Sequence, residues 1–436
     1  MREMKDSGIP WLGTIPQDWN VLKVKNLVRR KTDKNMPDEQ VLSLYRELGI
    51  VIKEDRDDNH NVTSENTDNY RFVEVNDLVV NKMKAWQGSI AVSAYQGIVS
   101  PAYYVYRFTS QKCYPWYVHY VLRCTAYLPE YRRLSGGIRL GQWDLSDDNF
   151  KNIPLPIPVT FDEQKKIADY LDSKCSKIDE IIAKQEQIIE KLKEYKLSVI
   201  TEAVTKGLDP DVEMKDSGVE WIGGINRNYS LSRIGRFCFV TKLAGFEYTD
   251  TMVDRISEQD EVPIVRAQHV RMFKFDKDSI SEYIDYKTSL KLERCSLDRK
   301  CLLITFIGAG IGDVCIFDDN KRYHLAPNVA KIVIRDNFSK ILSEEYLMYY
   351  LGSYAGKGEI NKIAKASAQP SLSMETIRSI TIVLPPLEAQ HMLVEYLDKE
   401  TDKVDKSIKQ REQIILKMQE YKKSLIYEVV TGKKEV

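Results

Sequence analysis

The chain has 436 residues, 43% of them hydrophobic, and its 64 basic residues are balanced by 64 acidic ones. That length suits roughly two or three domains with real cores, and the neutral balance argues against a general nucleic-acid coat without excluding charge gathered on one face. No apolar run is long enough to span a membrane, and the polar start Met1-Arg2-Glu3-Met4-Lys5 is no signal peptide; seven scattered cysteines with no Cys-x-x-Cys pair point to reduced thiols in a cytoplasmic protein.

The first patterned stretch is Asp6-Ser7-Gly8-Ile9-Pro10-Trp11-Leu12-Gly13-Thr14-Ile15-Pro16-Gln17-Asp18-Trp19. Glycine and proline punctuation around Trp11 predicts an irregular segment docking one aromatic anchor. From Val21 to Asn152 the pattern predicts a mixed α/β domain. Strands are expected at Asp77–Val80, Ser89–Val92 and Tyr103–Tyr106, with a short helix at Pro115–Cys124. Leu155-Pro156-Ile157-Pro158 then opens a long helical pattern that reaches Gly207.

The order then repeats. Asp216-Ser217-Gly218-Val219-Glu220-Trp221-Ile222-Gly223 matches the N-terminal segment, and Leu231–Ile380 predicts a second mixed α/β domain. Its expected strands are Cys301–Thr305, Val314–Phe317 and Lys331–Ile334, with a helix at Glu344–Tyr354. Leu384-Pro385-Pro386-Leu387 opens the second long helix, in which Tyr396-Leu397-Asp398 matches Tyr170-Leu171-Asp172 and Glu420-Tyr421-Lys422 matches Glu194-Tyr195-Lys196 without a gap. Internal repeats outrank other inferences. They divide the chain into an N-terminal repeated segment (1–20), a first domain (21–154), a central long helix (155–207), a linker with the repeated Trp segment (208–230), a second domain (231–381) and a C-terminal long helix (382–436). The expected fold is α+β: two mixed α/β domains joined by two long antiparallel helices in a coiled coil, with pseudo-twofold, circularly organised repeats. The join from Glu202 to Asp216 looks like the C-terminus sutured to the N-terminus.

Both helices carry heptads. With Leu171 at a, the a/d ladder reads Leu171, Lys174, Ile178, Ile181, Gln185, Ile188, Leu192, Tyr195, Val199 and Glu202, and Ile182, Ile189 and Ala203 at e widen the seam. The twin ladder reads Leu397, Glu400, Val404, Ser407, Arg411, Ile414, Met418, Tyr421, Leu425 and Glu428. A helix from Asp162 to Val204 would be about 65 Å long, which demands a partner along its length. Gln185 and Arg411 are equivalent polar a positions that would fix the register of the helix pair, or else point to solvent at a skip in the seam.

No catalytic constellation emerges. Gly308-x-Gly310-x-Gly312 follows a strand, but a nucleotide-binding glycine loop leads into a helix, and Val314–Phe317 reads as another strand. The carboxylates of Asp211 and Glu213 crowd one linker, and His60, His119, His269, His324 and His391 show no paired ligand spacing. No metal site and no catalytic residue are expected.

The N-terminal segment Asp6–Trp19, with Pro156-x-Pro158…Glu163-Gln164…Ile167…Tyr170-Leu171-Asp172, resembles the specificity (S) subunit of type I DNA restriction–modification systems. The stretches Asn81–Pro101 and Gly137-Ile138-Arg139…Phe150 are also similar to members of this family. Glu220 for Pro10, Asn226 for Pro16 and Glu388-Ala389-Gln390 for the plain Glu-Gln are departures in the second copies. The resemblance implies two target-recognition domains, each reading one half of a bipartite, non-palindromic DNA site, with the helices setting the spacer. It implies as partners double-stranded DNA, two modification subunits that methylate adenine, and ATP-dependent restriction subunits. S-adenosylmethionine, ATP and Mg²⁺ would then sit on those partners, with no cofactor in this chain and no enzymatic activity of its own.

Reading DNA needs side-chain donors and acceptors at groove edges and cations at phosphates. The candidates are Tyr45, Arg46, Lys82, Lys84, Trp86, Gln87 and Arg139 in the first domain. In the second they are Arg266, Gln268, His269, Lys357, Lys362, Lys365 and Gln369, where Gly356-Lys357-Gly358 is small enough for close backbone approach. Each could equally be an ordinary solvated side chain. Two other readings remain open: a coiled-coil scaffold with two protein-binding domains, and a self-sufficient methyltransferase or nuclease using the Gly308 loop.

Overall fold

A computed structural model describes residues 2–55, 63, 66–137, 143–364 and 371–436. The chain is α+β, with two long helices, Phe161–Lys206 and Leu387–Val430, and two compact units. One unit comprises Met1–Glu186 with Glu412–Val436, and the other Gln187–Arg411. Each therefore takes one part of both long helices. All seven cysteines are buried and unpaired, and among the described residues no helix is long and apolar enough to cross a membrane.

The first unit is built on a four-stranded antiparallel sheet ordered Val28–Lys31, Tyr103–Phe108, Leu78–Asn81, Ile90–Val92. The second unit repeats that order and sense with Cys238–Lys242, Val329–Ile334, Cys301–Thr305 and Val314–Phe317. The β-rich runs predicted from sequence are thus strands, within one to two residues at their ends. The Gly308 loop turns between two antiparallel strands, as its following β pattern requires, with Gly308 and Gly312 at φ of 104° and 84°. Pro115–Arg123 is helical, and Glu344–Gly352 gives way at Ser353 to a further helix, Tyr354–Ala364. The units diverge beyond this frame. The first adds the hairpin Leu42–Tyr45/Gly49–Ile52, and the second adds a sheet in which Val262–Val265 runs parallel to Tyr323–Leu325.

The Trp segments are not irregular, which corrects the sequence reading. Met4–Asp6 pairs with Thr14–Pro16, and Met214–Asp216 with Gly224–Asn226. The turns are closed by backbone: Ser7 N–H donates to Gly13 O at 3.0 Å and Ser217 N–H to Gly223 O at 3.1 Å. Gly8, Gly13, Gly218 and Gly223, all with φ between 67° and 71°, supply the left-handed bends. Three-residue strands are too short for their alternation to be legible.

The helix seam is shifted from the predicted ladder. It runs through Leu171, Cys175, Ile178, Ile182, Gln185, Ile189, Leu192, Lys196, Val199 and Ala203, and through the matching Leu397, Thr401, Val404, Ile408, Arg411, Ile415, Met418, Lys422, Leu425 and Val429, all buried or half-buried. The predicted a positions and the widening e positions Ile182, Ile189 and Ala203 belong to it; of the predicted d positions, Ile181, Tyr195, Ile414 and Tyr421 are 39%, 54%, 38% and 51% exposed, while Ile188, Glu400, Ser407 and Glu428 are half-buried. Isoleucine occupies both candidate positions in neighbouring pairs (Ile181/Ile182, Ile188/Ile189), so the period alone cannot choose. Lysine at the true seam hid the answer. Lys422 Nζ reaches the Asp179 carboxylate at 2.7 Å in the first unit, and Lys196 Nζ the equivalent Asp405 at 2.7 Å in the second, while their stems cover apolar surface. These pairs fix the helices as antiparallel.

A matching set of tyrosines and glutamines ties the helices to the sheets. Gln164, fully buried, donates to Lys112 O (2.8 Å) and Pro158 O (3.0 Å) and accepts from Tyr114 N–H (2.7 Å). Gln390 repeats this with Ile341 O (2.8 Å), Pro385 O (2.9 Å) and Ser343 N–H (2.9 Å), although Pro385 lies five residues before it where Pro158 lies six before Gln164. Tyr120 and Tyr349 hydroxyls donate to Asp172 and Asp398 at 2.5 and 2.7 Å, which explains the repeated Tyr-Leu-Asp motif. One position does differ. Glu163 accepts from Trp19 Nε1 at 3.1 Å and from Arg2 at 2.6 Å, whereas Ala389 and Tyr229 stand at the equivalent places.

Seam burial makes a direct prediction. Ile178→Ala is expected to cost about 2–4 kcal/mol of stability, and Ile181→Ala only about 0.5 kcal/mol. Thermal and urea unfolding of the two variants measure the difference; equal losses would restore the a/d ladder predicted from sequence.

Candidate nucleic-acid interface

In the first unit Leu78–Asn81 ends at a tight turn that carries Lys82, Lys84, Trp86 and Gln87, the last two in the 3-10 turn Ala85–Gln87. The turn is held by Gln87 N–H to Lys84 O (3.0 Å) and by Trp86 Nε1 to Met83 O (3.1 Å). Trp86 meets Trp143 with centroids 5.6 Å apart, and Arg132 lies over Trp143 at 5.7 Å. Lys82 pairs with Asp144 at 3.2 Å, and Lys84 is exposed. Four of the predicted residues thus share one turn. Arg139 lies outside the described residues. Tyr45 and Arg46 are on the separate Leu42–Ile52 hairpin. There Tyr45 is half-buried, Arg46 pairs with its neighbour Glu47 at 3.0 Å, and Arg123 Nη2 holds the Arg46 and Glu47 carbonyls at 2.8 and 2.7 Å.

The structure adds residues that sequence reasoning missed. On the same sheet face as Lys82, Arg30 stacks over Tyr104 at 4.2 Å and approaches Asp147 at 3.4 Å. Asp147 also accepts from the Tyr106 hydroxyl (2.5 Å) and Lys151 (2.5 Å). Burial works against its charge, but these donors together with Arg30 keep its carboxyl below the usual range. Arg71, in Arg71–Val73, is half-buried and among the described residues donates only to Pro101 O at 3.4 Å. Burial, and then the like charge of Arg30, pull its pKa down. The signal was present as Arg29-Arg30-Lys31 beside a tyrosine-rich strand, but only the sheet register places Arg30 opposite Tyr106.

In the second unit the predicted residues separate. Arg266 pairs with Glu282 at 2.5 Å, Gln268 is exposed, and His269 is 2% exposed. His269 Nδ1 accepts from Arg266 N–H at 3.0 Å, so the ring closes its own turn and presents no free edge. Lys357 is half-buried on Tyr354–Ala364, near Asp313 of the Gly308 turn; burial raises the Asp313 carboxyl, and Lys357 and Arg271 oppose that. Lys362 lies over the Trp221 ring at 4.4 Å. The close approach predicted for Gly356 and Gly358 is to the protein itself: a Cβ on Gly358 would sit 2.7 Å from Trp221 Cβ, and one on Gly356 2.4 Å from Tyr350 O. Lys365 and Gln369 lie outside the described residues. Gln185 and Arg411 occupy equivalent half-buried seam positions.

Two domains with one strand order, each carrying a different polar edge, match a known family twice. A model described as the type I restriction modification DNA specificity domain matches residues 16–194 and 256–417. The chain belongs to this family of type I specificity subunits. It is 23% identical over 434 residues to the type I restriction enzyme MjaVIII specificity subunit of Methanocaldococcus jannaschii, covering 96% of this chain and 93% of that protein. It is 24% identical over 279 residues to the EcoBI specificity subunit of Escherichia coli, covering 61% of this chain and 55% of that protein. A solved chain from work on complex assembly and conformational transition of the type I R-M system shares the fold, with a TM-score of 0.71 at 12% identity over 96% of this chain and 99% of that one.

Three histidines of this specificity subunit, half-buried His119 and buried His269 and His324, should make its stability pH-dependent. Burial holds His119 down at about 3, seconded by Arg123, and also depresses His269 and His324. Each is neutral when folded and gains a proton first when unfolded. Their contribution is therefore complete above the unfolded value of about 6.5 and is lost as pH falls below it. Asp77, raised to about 6 by burial, runs the other way. The melting temperature should fall between pH 7 and pH 5, and less steeply in His269→Asn, which keeps an acceptor; an unchanged slope in that variant would refute the assignment.

Proposed function

We propose that this chain is the non-catalytic reader of a type I restriction–modification complex, each unit recognising one half of a bipartite, non-palindromic DNA site. The observation that carries the reading is the repetition of one sheet order in two units whose polar edges differ: Arg30 over Tyr104 with Lys82 and Trp86 on the neighbouring turn in the first, Gln268, Arg271 and Lys357 in the second. A shared scaffold with unlike edges suits two different half-sites. The long helices, which run from one unit into the other, set the interval between the halves. Two modification subunits dock on the outer helix faces. There Tyr195 lies near Tyr396 in the second unit, and exposed Tyr421 is its counterpart in the first. Adenine methylation and restriction, with S-adenosylmethionine, ATP and Mg²⁺, belong to the partner subunits.

Methylation mapped by single-molecule sequencing, in cells expressing the chain with its modification subunit, is expected to give a split motif with methyladenine in both halves. Exchanging residues 21–152 should change one half only, and inserting a helical turn into both long helices should widen the gap. A stable complex that leaves no motif would favour the protein scaffold instead.

A further inference from the structure

The edge of the first sheet holds more positive charge than its own carboxylates neutralise. Arg30, Lys82 and Lys151 gather around Tyr104 and Tyr106, Arg71 of the adjoining two-stranded sheet Arg71–Val73/Gly97–Val99 feels the charge of Arg30, and the carboxylates among them are Asp144 and Asp147. Three of the four cations have an acidic partner: Arg30 and Lys151 share Asp147, and Lys82 takes Asp144. Arg71 has none among the described residues. Its guanidinium, a fork of five N–H donors, makes one long hydrogen bond to Pro101 O at 3.4 Å while half removed from water beside a second guanidinium. Arg30 Nε is likewise buried without a hydrogen-bond partner.

A partly desolvated guanidinium next to a like charge is unfavourable in the free protein, and an anion with two oxygens in one plane relieves both costs. Arg30 cannot take that part as freely, because Tyr104 fixes its plane from one side and Asp147 neutralises it. We propose that Arg71 binds a backbone phosphate of the DNA read by the first unit, with Arg30 held flat on Tyr104 as the positioning residue beside it. This rests on the DNA-reading function proposed above and names the contact that anchors one half-site. A phosphate contact carries no base information, so the role of Arg71 is to set where the Lys82–Trp86 turn meets the duplex.

The test uses the full chain in complex with its modification subunit, with duplexes carrying the methylated motif or a scrambled one, titrated at several salt concentrations. Arg71→Gln is expected to weaken binding about tenfold to both duplexes and to lower the slope of log affinity against log salt by about one. Arg71→Lys should keep most of the slope, which separates lost charge from lost folding. Arg299→Gln, in the second unit and paired with Asp336 at 3.3 Å, should leave slope and affinity unchanged. Unchanged affinity and slope in Arg71→Gln overturns the assignment. So does a loss confined to the cognate duplex, because that would mark base contact. If the wild-type complex shows no salt-dependent preference for the motif, the DNA-reading function itself fails, a different outcome from either.

Discussion

The structure depends on how each unit closes its core with helix ends that are distant in sequence. In the first unit the core takes Ile167, Leu171 and Ile178 from the start of the central helix and Leu425, Val429 and Val430 from the end of the C-terminal one. In the second it takes Ile200, Ala203 and Val204 with Leu393 and Leu397. Most helical stability in a folded protein comes from tertiary burial of one face, and here that face is divided between two cores. A tyrosine secures each join: the Tyr117 hydroxyl reaches Val430 O at 3.2 Å and the Tyr346 hydroxyl reaches Val204 O at 3.2 Å, each meeting a carbonyl at the C-terminal end of a helix.

The repeated hairpins follow from the same constraint. In the second unit the hairpin follows the helix end along the chain, and Asn226 Nδ2 donates to Lys206 O at 3.0 Å. In the first unit the same neighbours belong to opposite termini, and side chains make the join: the Tyr427 hydroxyl and Lys433 Nζ both donate to Leu12 O, at 3.1 and 2.9 Å. The Trp19–Glu163–Arg2 cluster ties the same hairpin to the start of the central helix, a contact that Tyr229 and Ala389 do not repeat in the second copy.

The unlike edges of the two sheets are the other half of the design. Framework positions such as Gln164 and Gln390 are fully buried with every bond matched, so they tolerate little change. Positions at the sheet ends carry charge and aromatic rings in different arrangements, including Arg30 over Tyr104 in the first unit and Lys242 over Phe306, at 4.6 Å, in the second. A rigid frame with replaceable edges suits a reader of sequence.

Much of the architecture was legible because it repeats. Two copies of a hairpin, a domain and a helix can be matched letter by letter, and strands such as Cys301–Thr305 and Val314–Phe317 announce themselves through β-branched and apolar runs. The amino-acid order alone therefore determined the α+β class, the internal repeat and the family. Tertiary structure decided what depends on neighbours remote in sequence. It chose between adjacent isoleucines for the seam, because a lysine there is acceptable only when a carboxylate on the other helix meets it. It buried His269 in its own turn, spent the closeness of Gly356 and Gly358 on packing within the second unit, and brought Arg30, Arg71 and Lys82 into one neighbourhood from three segments remote in sequence. Periodicity records which face of an element is apolar; which charges share a surface is settled only when strands pair.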